Sequence, residues 1–195
     1  MWDERYSAEE YAYGTEPNDF LLEHHSLIPA GKVLCLAEGE GRNAVYLAKH
    51  GYEVTAVDAS TVGLNKALQL AKNADVNLNT IVSDLAEFPI VPNSFDGVVS
   101  IFCHIPKEMR QDLHQRVIAG LKPGGILILE AYTPAQLKHG TGGPATDELT
   151  VTLETLEQEL AGLEIIHGQE LERDVIEGLY HTGRGAVVQF IGRKN

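Results

Sequence analysis

The chain has 195 residues, with 44% hydrophobic side chains, 22% charged side chains and a formal net charge of −13. That length is enough to bury one core, and the composition is typical of a globular protein. The acidic balance disfavours a surface for nucleic acid or for an anionic membrane, since both attract positive patches. The N-terminus has no apolar signal region, and no apolar run approaches the roughly 18–20 residues of a membrane span. We therefore predict a cytoplasmic protein.

The first 30 residues precede the regular pattern of the rest of the chain. They carry five aromatic side chains but no strong helical periodicity, which predicts a lid-like segment. Within this segment we expect a helix over 17–25, because Pro17 suits a first helical turn. The remaining residues, 31–195, are predicted to form a Rossmann-like core, so that the whole chain is one domain.

From residue 31 onward, short apolar segments alternate with helical patterns. The strand candidates are 32–37, 52–60, 77–85, 94–104, 126–132, 163–175 and 185–194. Periodicity and capping residues predict helices over 43–50, after Ser60, from Lys107 and over 152–161. This alternation implies parallel strands joined by right-handed crossovers. The expected fold is α/β: a Rossmann-like, doubly wound sheet of seven mostly parallel strands, with an antiparallel hairpin at its C-terminal edge.

A glycine turn lies between the first strand and the first helix of the core. Gly39 and Gly41 let the backbone approach a ligand, and the following helix N-terminus favours an anionic group. Such a turn alone is equally consistent with a simple strand-to-helix connection. Asp58, however, ends the second strand 17 residues after Gly41, where a carboxylate can accept hydrogen bonds from both ribose hydroxyls. Together they predict a cofactor that contains a nucleoside.

Dinucleotides and S-adenosylmethionine both suit this layout, and later motifs separate them. Asp84 follows the third strand, where a carboxylate can accept the adenine amino group, and a Lys-Pro-Gly-Gly break precedes the fifth strand. With the glycine turn and the edge hairpin, these motifs resemble class I S-adenosylmethionine-dependent methyltransferases over about Lys32–Lys194. The turn sequence and the N-terminal aromatic pattern further resemble the branch of tellurite-resistance and thiopurine-methyltransferase-like proteins. The resemblance implies a methyltransferase with S-adenosylmethionine as cofactor and S-adenosylhomocysteine as product.

The first motif departs from the usual family pattern, because Cys35 replaces the acid of the first strand and Ala37 replaces the first glycine. We interpret Glu38 as the substitute acceptor for the cofactor ammonium, since a buried unpaired charge is costly. The alternative is a solvated surface glutamate. Arg42 is expected to pair with Glu38 or with the cofactor carboxylate, and Glu40 is expected to face solvent. The predicted cofactor-binding residues are Glu38, Gly39, Gly41, Arg42, Asp58, Ala59, Asp84, Leu85 and Cys103.

Methyl transfer is an in-line displacement that depends mainly on positioning, and it requires no metal. His104 follows the fourth strand, where the methyl group should lie, and is our candidate base or substrate contact. A packing or loop-capping role is the alternative for His104. Segments expected over the cleft supply the candidate substrate contacts Tyr11, Tyr13, Tyr132, His139, His181 and Arg184. His181 and Arg184 are equally consistent with a solvated charge network among neighbouring acids and Arg173.

Three functions remain open at this point. The first is a methyltransferase for a small acceptor such as a thiol, a chalcogen oxyanion, an amine or a phenol. The second is a catalytically silent S-adenosylmethionine-binding protein, which the altered first motif keeps open. The third, an NAD(P)-dependent oxidoreductase, lacks a hydride-site signature such as Tyr-x-x-x-Lys. We expect a small-molecule partner, no nucleic acid, no membrane and no metal, and the sequence does not determine the oligomeric state.

Overall fold

The computed structural model describes residues 2–195. Its strands are β1 (Lys32–Leu36), β2 (Glu53–Asp58), β3 (Asn79–Val82), β4 (Phe95–Ile101), β5 (Leu121–Tyr132), β6 (Leu163–Glu177) and β7 (His181–Lys194). They form one sheet in the order β3-β2-β1-β4-β5-β7-β6. The first five strands pair in parallel, whereas β7 is antiparallel to both β5 and β6. The predicted seven-strand α/β sheet with an antiparallel C-terminal hairpin is confirmed.

The α-helices are α1 (Trp2–Arg5), α2 (Asp19–His24), α3 (Arg42–Lys49), α4 (Thr61–Asn73), α5 (Lys107–Gly120) and α6 (Leu153–Glu159). Side-chain oxygens cap the N-termini of several helices; the Ser60 hydroxyl, for example, accepts the Gly63 N–H at the start of α4. The helix predicted from Pro17 begins two residues later, because Asn18 accepts the Leu21 N–H and acts as the N-cap. None of these described helices is long and apolar enough to cross a membrane.

The edge hairpin is longer than the sequence pattern suggested. The segment 176–184 was expected to be a loop, but β6 and β7 continue through it until Glu177 pairs with His181. Only residues 178–180 form the turn, and its first residue, Gly178, has a positive φ of 64°. The extension brings Glu177 and His181 next to each other at the end of the sheet that carries the glycine turn.

The core forms two layers because alternate side chains of β1 point to opposite faces of the sheet. Leu34 and Leu36 belong to one buried cluster, and Val33 and Cys35 belong to the other, beneath α3. Both cysteines are free, and Cys35 is fully buried while Cys103 is partly buried. Burial therefore raises the pKa of the Cys35 thiol well above its ordinary value. Cys35 is therefore a core residue.

The N-terminal segment lies across the carboxyl ends of β1 and β2. Asp3 accepts the Ser60 hydroxyl at 2.5 Å, and Tyr6 is buried. The Lys66 ammonium of α4 donates to the carbonyls of Ala8 and Glu10 at 2.9 and 2.7 Å. The segment is thus fastened to α4 by polar contacts and covers the glycine turn.

Candidate active site

The glycine turn follows β1 and has the close approach that the sequence predicted. Ala37, Gly39 and Gly41 all have positive φ, at 49°, 60° and 90°. Gly41 is the N-cap of α3, and a Cβ there would lie 2.5 Å from the Cβ of Ala67 in α4. A Cβ on Gly39 would lie 2.6 Å from the Tyr6 hydroxyl oxygen. Glycine is therefore required both for the backbone conformation and for the packing of the turn.

Asp58 ends β2 and faces this turn. Its two carboxylate oxygens accept the N–H groups of Gly39 at 2.9 Å and Ser60 at 2.8 Å. Burial raises the pKa of Asp58, against these two N–H groups. Asp84 lies two residues beyond Val82, the β3 partner of Asp58, and it is exposed. The two carboxylates thus follow neighbouring strands at the same edge, as expected for the parallel pairing.

Glu38 is buried inside the turn and does not face solvent. Its Oε1 accepts the N–H of Ala44 in the first turn of α3 at 2.7 Å. Burial raises the pKa of Glu38 to about 7, although this N–H and the nearby Arg42 act in the opposite direction. A carboxyl group with a pKa near 7 is about half protonated at neutral pH, which is unusual for glutamate. Its role toward a cofactor ammonium stays a prediction.

The neighbouring charges are arranged differently from the expectation. Arg42 does not pair with Glu38 but donates to Glu177 of β6 at 2.7 Å, and both side chains are buried. Glu40, expected to face solvent, is buried, accepts the Ala12 N–H at 2.7 Å and pairs with Lys66 at 2.5 Å. The prediction for Glu40 was wrong because the N-terminal segment covers it.

Five rings pack together beyond the ends of β4 and β5. We call this group, formed by Tyr13, Phe102, His104, Tyr132 and His181, the ring cluster. Phe102 lies 4.6 Å from Tyr132 and 4.8 Å from His181 between ring centroids. Tyr13 lies 4.8 Å from His181, and His104 is stacked 5.5 Å from Tyr132. Four of the predicted catalytic and substrate residues thus meet in one place. Phe102 was not predicted, because it lies in a largely apolar strand segment and resembles a core residue.

His104 has one ring nitrogen occupied and one free. Its Nδ1 lies 3.1 Å from the Leu149 carbonyl oxygen, so Nδ1 carries the hydrogen and donates. The other nitrogen, Nε2, is buried without a hydrogen-bond partner within residues 2–195. Burial lowers the pKa of His104 to about 4, so the ring is neutral at physiological pH. The free nitrogen is suited to accept a hydrogen bond from a bound molecule.

A buried polar network supports the ring cluster from the hairpin side. His181 Nδ1 lies 3.2 Å from the Glu177 carboxylate, which also accepts from the Asn18 amide. Arg173 binds Glu130, which has no solvent-exposed surface. The alternative of a solvated charge network is therefore wrong for His181, whereas it agrees with Arg184, which pairs with Glu172 while both side chains are exposed. Sequence patterns missed the network because its members come from three separate parts of the chain: Asn18, Glu130 and the hairpin residues Arg173, Glu177 and His181.

The other predicted site residues make their contacts elsewhere. The Tyr11 hydroxyl donates to the Lys66 carbonyl at 3.3 Å, beside α4. His139 and Arg184 both face Glu172, at 3.3 and 3.4 Å, on the outer part of the hairpin. Among the predicted cofactor residues not yet placed, Ala59 is exposed, Leu85 is buried in the core and Cys103 is half-buried. Burial raises the pKa of the Cys103 thiol to about 12, so it is not a thiolate.

A groove of about 560 Å³ lies at the opposite end of the sheet, beside Gly51 and the first residues of β2 and β3. Ligands of parallel sheets bind at the carboxyl ends of the strands, so this groove is not the expected cofactor site. Within residues 2–195, no group of three or more His, Cys, Asp or Glu side chains is placed to hold a metal ion.

Comparisons with known proteins agree with this geometry. Residues 33–125 match the family model described as "Methyltransferase domain". An uncharacterised methyltransferase of Synechocystis is 39% identical over 114 residues, which are 55% of this chain and 50% of that protein. A 2-heptyl-1-hydroxyquinolin-4(1H)-one methyltransferase of Mycobacteroides abscessus is 28% identical over 121 residues, 58% of this chain and 52% of that protein. The chain spans about half the length of the curated relatives it matches.

Solved structures extend the likeness of the fold to the whole chain. TehB from Haemophilus influenzae is 18% identical with a TM-score of 0.76, covering 100% of this chain and 66% of that one. An S-adenosylmethionine-dependent methyltransferase from Anabaena variabilis is 17% identical with a TM-score of 0.73, covering 100% and 92%. The fold is thus that of the Rossmann-like methyltransferases. Residues 33–125 are thus similar to a methyltransferase domain, and the whole chain has the fold of solved S-adenosylmethionine-dependent methyltransferases.

Proposed function

We propose that the protein transfers a methyl group from S-adenosylmethionine to a small, flat acceptor. The observation that carries the proposal is the buried contact chain from Arg42 through Glu177 to His181. It joins the first residue after the glycine turn directly to the ring cluster. A cofactor at the turn and an acceptor among the rings would therefore lie next to each other, as in-line transfer requires.

The residues around the turn fit S-adenosylmethionine, which supplies an electrophilic methyl group when bound. Each Asp58 oxygen accepts one backbone N–H and retains acceptor capacity for a ribose hydroxyl. Asp84 is free at the surface to accept an adenine amino group. Glu38 is a buried carboxylate that a cofactor ammonium would stabilise in its ionised form. Tyr6 covers Gly39, so we expect the N-terminal segment to act as a lid that opens for cofactor entry.

The acceptor class follows from the rings and from the charges behind them. Aromatic rings favour flat or apolar groups, and the free Nε2 of His104 favours an acceptor that donates a hydrogen bond. The buried arginines behind the rings, Arg42 and Arg173, are already paired with Glu177 and Glu130 and are not free to bind an oxyanion. Arg5, at the exposed side of the cluster, donates to the Tyr13 hydroxyl at 2.9 Å. A thiol or phenol attached to a flat ring therefore suits the cluster better than a chalcogen oxyanion.

Two further observations support the finer points of the proposal. The Mycobacteroides relative is named for a hydroxyquinolone, a flat heteroaromatic molecule. The motifs of the glycine turn and of the N-terminal segment support membership of the branch of tellurite-resistance and thiopurine-methyltransferase-like proteins. Among the acceptors of such a branch, we favour aromatic ones for this chain. The net charge of −13 supports a cytoplasmic protein that acts on a small molecule and not on nucleic acid or at a membrane.

Calorimetry and a product assay test the proposal. We expect S-adenosylhomocysteine to bind and NAD not to bind, because NAD has no ammonium group to pair with the buried carboxylate of Glu38. With S-adenosylmethionine present, thiophenol or phenol should yield a methylated product by mass spectrometry, and tellurite and glycine should not. Binding of NAD alone would refute the proposal. Binding of S-adenosylhomocysteine with no methylated aromatic acceptor would favour the silent cofactor-binding protein.

A further inference from the structure

Glu177 occupies a special position between the two halves of the site. It is the last residue of β6, and its Oε2 accepts from Arg42 at 2.7 Å and lies 3.2 Å from His181 Nδ1. Its Oε1 accepts from the Asn18 amide at 3.0 Å and lies 3.6 Å from Arg173. Burial alone would raise the pKa of Glu177, but its contacts with His181 and Arg42 outweigh burial and lower it to about 2. The carboxylate is therefore ionised and held by four groups.

This carboxylate determines which nitrogen of His181 carries the hydrogen. A carboxylate can only accept, so His181 must donate from Nδ1. The remaining nitrogen, Nε2, then has a lone pair in the neutral ring. The ring of His181 lies 4.8 Å from both Tyr13 and Phe102, inside the ring cluster. A histidine oriented by a carboxylate in this way is arranged to take a proton.

His104, the candidate base from the sequence, is arranged differently. Its Nδ1 donates to the neutral Leu149 carbonyl, and no described carboxylate contacts its ring. Burial lowers the pKa of His104 to about 4, so it is a poor proton acceptor. A neutral, weakly basic imidazole suits the role of hydrogen-bond acceptor that orients a substrate. The two histidines of the ring cluster thus have different chemical properties.

We propose that His181 is the general base of methyl transfer and that Glu177 is its positioning residue, while His104 only orients the acceptor. This assignment rests on the proposed methyltransferase function. The acceptor heteroatom forms its bond to the methyl carbon, and the electron pair of the breaking C–S bond stays on sulfur. The proton of the acceptor moves to Nε2 of His181, and the carboxylate of Glu177 balances the charge of the resulting imidazolium.

The carboxylate of Glu177 also connects His181 to the glycine turn, where the cofactor is proposed to bind. Arg42 is the first residue of α3, directly after Gly41 of the glycine turn. Because Arg42 and His181 bind the same Oε2 atom of Glu177, the position of the base relative to the turn is constrained. This constraint explains why a strand-end residue far from the turn in sequence contributes to catalysis.

A pair of acceptors with different acidity tests the role of the base. Phenol, with a pKa of about 10, arrives protonated, whereas 4-nitrothiophenol is already ionised at neutral pH and needs no base. We expect His181→Gln and Glu177→Gln to lower kcat/KM for phenol about 100-fold and to change that for 4-nitrothiophenol by less than about threefold. Glu164→Gln, an exposed change on the same strand, serves as the matched control and should leave both values unchanged.

An equal loss on both acceptors would overturn the assignment, because it would indicate a binding or folding role. Failure of the wild type to methylate phenol would also overturn it, whereas binding of S-adenosylhomocysteine would still support the cofactor part of the proposed function. Nitrogen-15 NMR of the labelled wild-type chain gives a second test that needs neither a variant nor turnover. We expect neutral His181 to carry its hydrogen on Nδ1, and a hydrogen on Nε2 would refute the dyad.

Discussion

Replacing Glu38 by Gln should stabilise the free protein above neutral pH and weaken cofactor binding at the same time. The structure gives Glu38 two opposing environments. It is buried beneath the turn, which disfavours a charge, but it accepts the N–H of Ala44 at 2.7 Å at the start of α3. Glutamine has nearly the same shape and can still accept this N–H, so the substitution removes the charge with little change in packing.

The effect on stability follows from the pKa. Burial raises the pKa of Glu38 from an ordinary 4.5 to about 7. Between these values the folded protein holds a proton that the unfolded chain has lost, so the free energy of unfolding falls as pH rises through this window. At about 1.36 kcal/mol per pKa unit, the loss is about 3 kcal/mol by the time the pH exceeds 7. Glu38→Gln should lack this loss and should unfold at higher temperature than the wild type at about pH 8.

The effect on binding has the opposite sign. If the cofactor ammonium pairs with Glu38, binding ionises the carboxylate and releases a proton near neutral pH. Glutamine offers a weaker, uncharged acceptor, and the loss of one charge-assisted hydrogen bond costs about 1.5–3 kcal/mol, or roughly 10- to 100-fold in affinity. Proton release on binding should also disappear in the variant.

Calorimetry with S-adenosylhomocysteine in two buffers of different ionisation enthalpy measures affinity and proton release together, and thermal unfolding from pH 4 to 8 measures stability. Glu40→Gln is not a neutral control, because Glu40 is buried and bound to Lys66. Glu53→Gln, an exposed change at the start of β2, is the appropriate one. A lower melting temperature with unchanged affinity would refute the reasoning and leave Glu38 as a helix cap only.

Three further predictions concern the glycine turn and its cover. Asp58→Ala should weaken S-adenosylhomocysteine binding by a few kcal/mol, at about 1.5–3 kcal/mol for each charge-assisted bond to ribose, and unchanged affinity by calorimetry would remove Asp58 from the site. Gly41→Ala should lower the melting temperature, since φ is 90° and the new Cβ would lie 2.5 Å from Ala67; an unchanged melting temperature would mean that α3 and α4 separate easily. Lys66→Met removes the ion pair with Glu40 and the contacts to the N-terminal segment, so limited proteolysis should cleave that segment faster than in the wild type. Equal cleavage rates would show that other contacts hold it.

The sheet and the glycine turn could be predicted because their signals are local. Strand alternation, Gly41 and Asp58 each depend on a few consecutive residues and on the rule that parallel strands end at one edge. The polar network could not be predicted in the same way. Asn18 lies 112 residues before Glu130 and 159 residues before Glu177 in the chain, and no periodicity of the sequence indicates that they meet. The burial of Glu40 was missed for a related reason, since it depends on where an aperiodic segment packs.

Two departures from the usual family pattern, Cys35 in place of an acid and Glu38 in the turn, have a common physical basis. Cys35 points into the apolar layer beneath α3, together with Ala44 and Leu47, where a carboxylate would be buried in the core. An acid three residues further on lies in the turn, where burial still raises its pKa but the Ala44 N–H at the start of α3 and the nearby Arg42 partly offset burial. Burial, and after it the charge of Glu38, raise the pKa of the Cys35 thiol. Cys35→Asp in the presence of Glu38 would bring two carboxylates together in a buried place. We therefore expect the Cys35→Asp variant to unfold at a lower temperature than the double variant that carries both Cys35→Asp and Glu38→Gln.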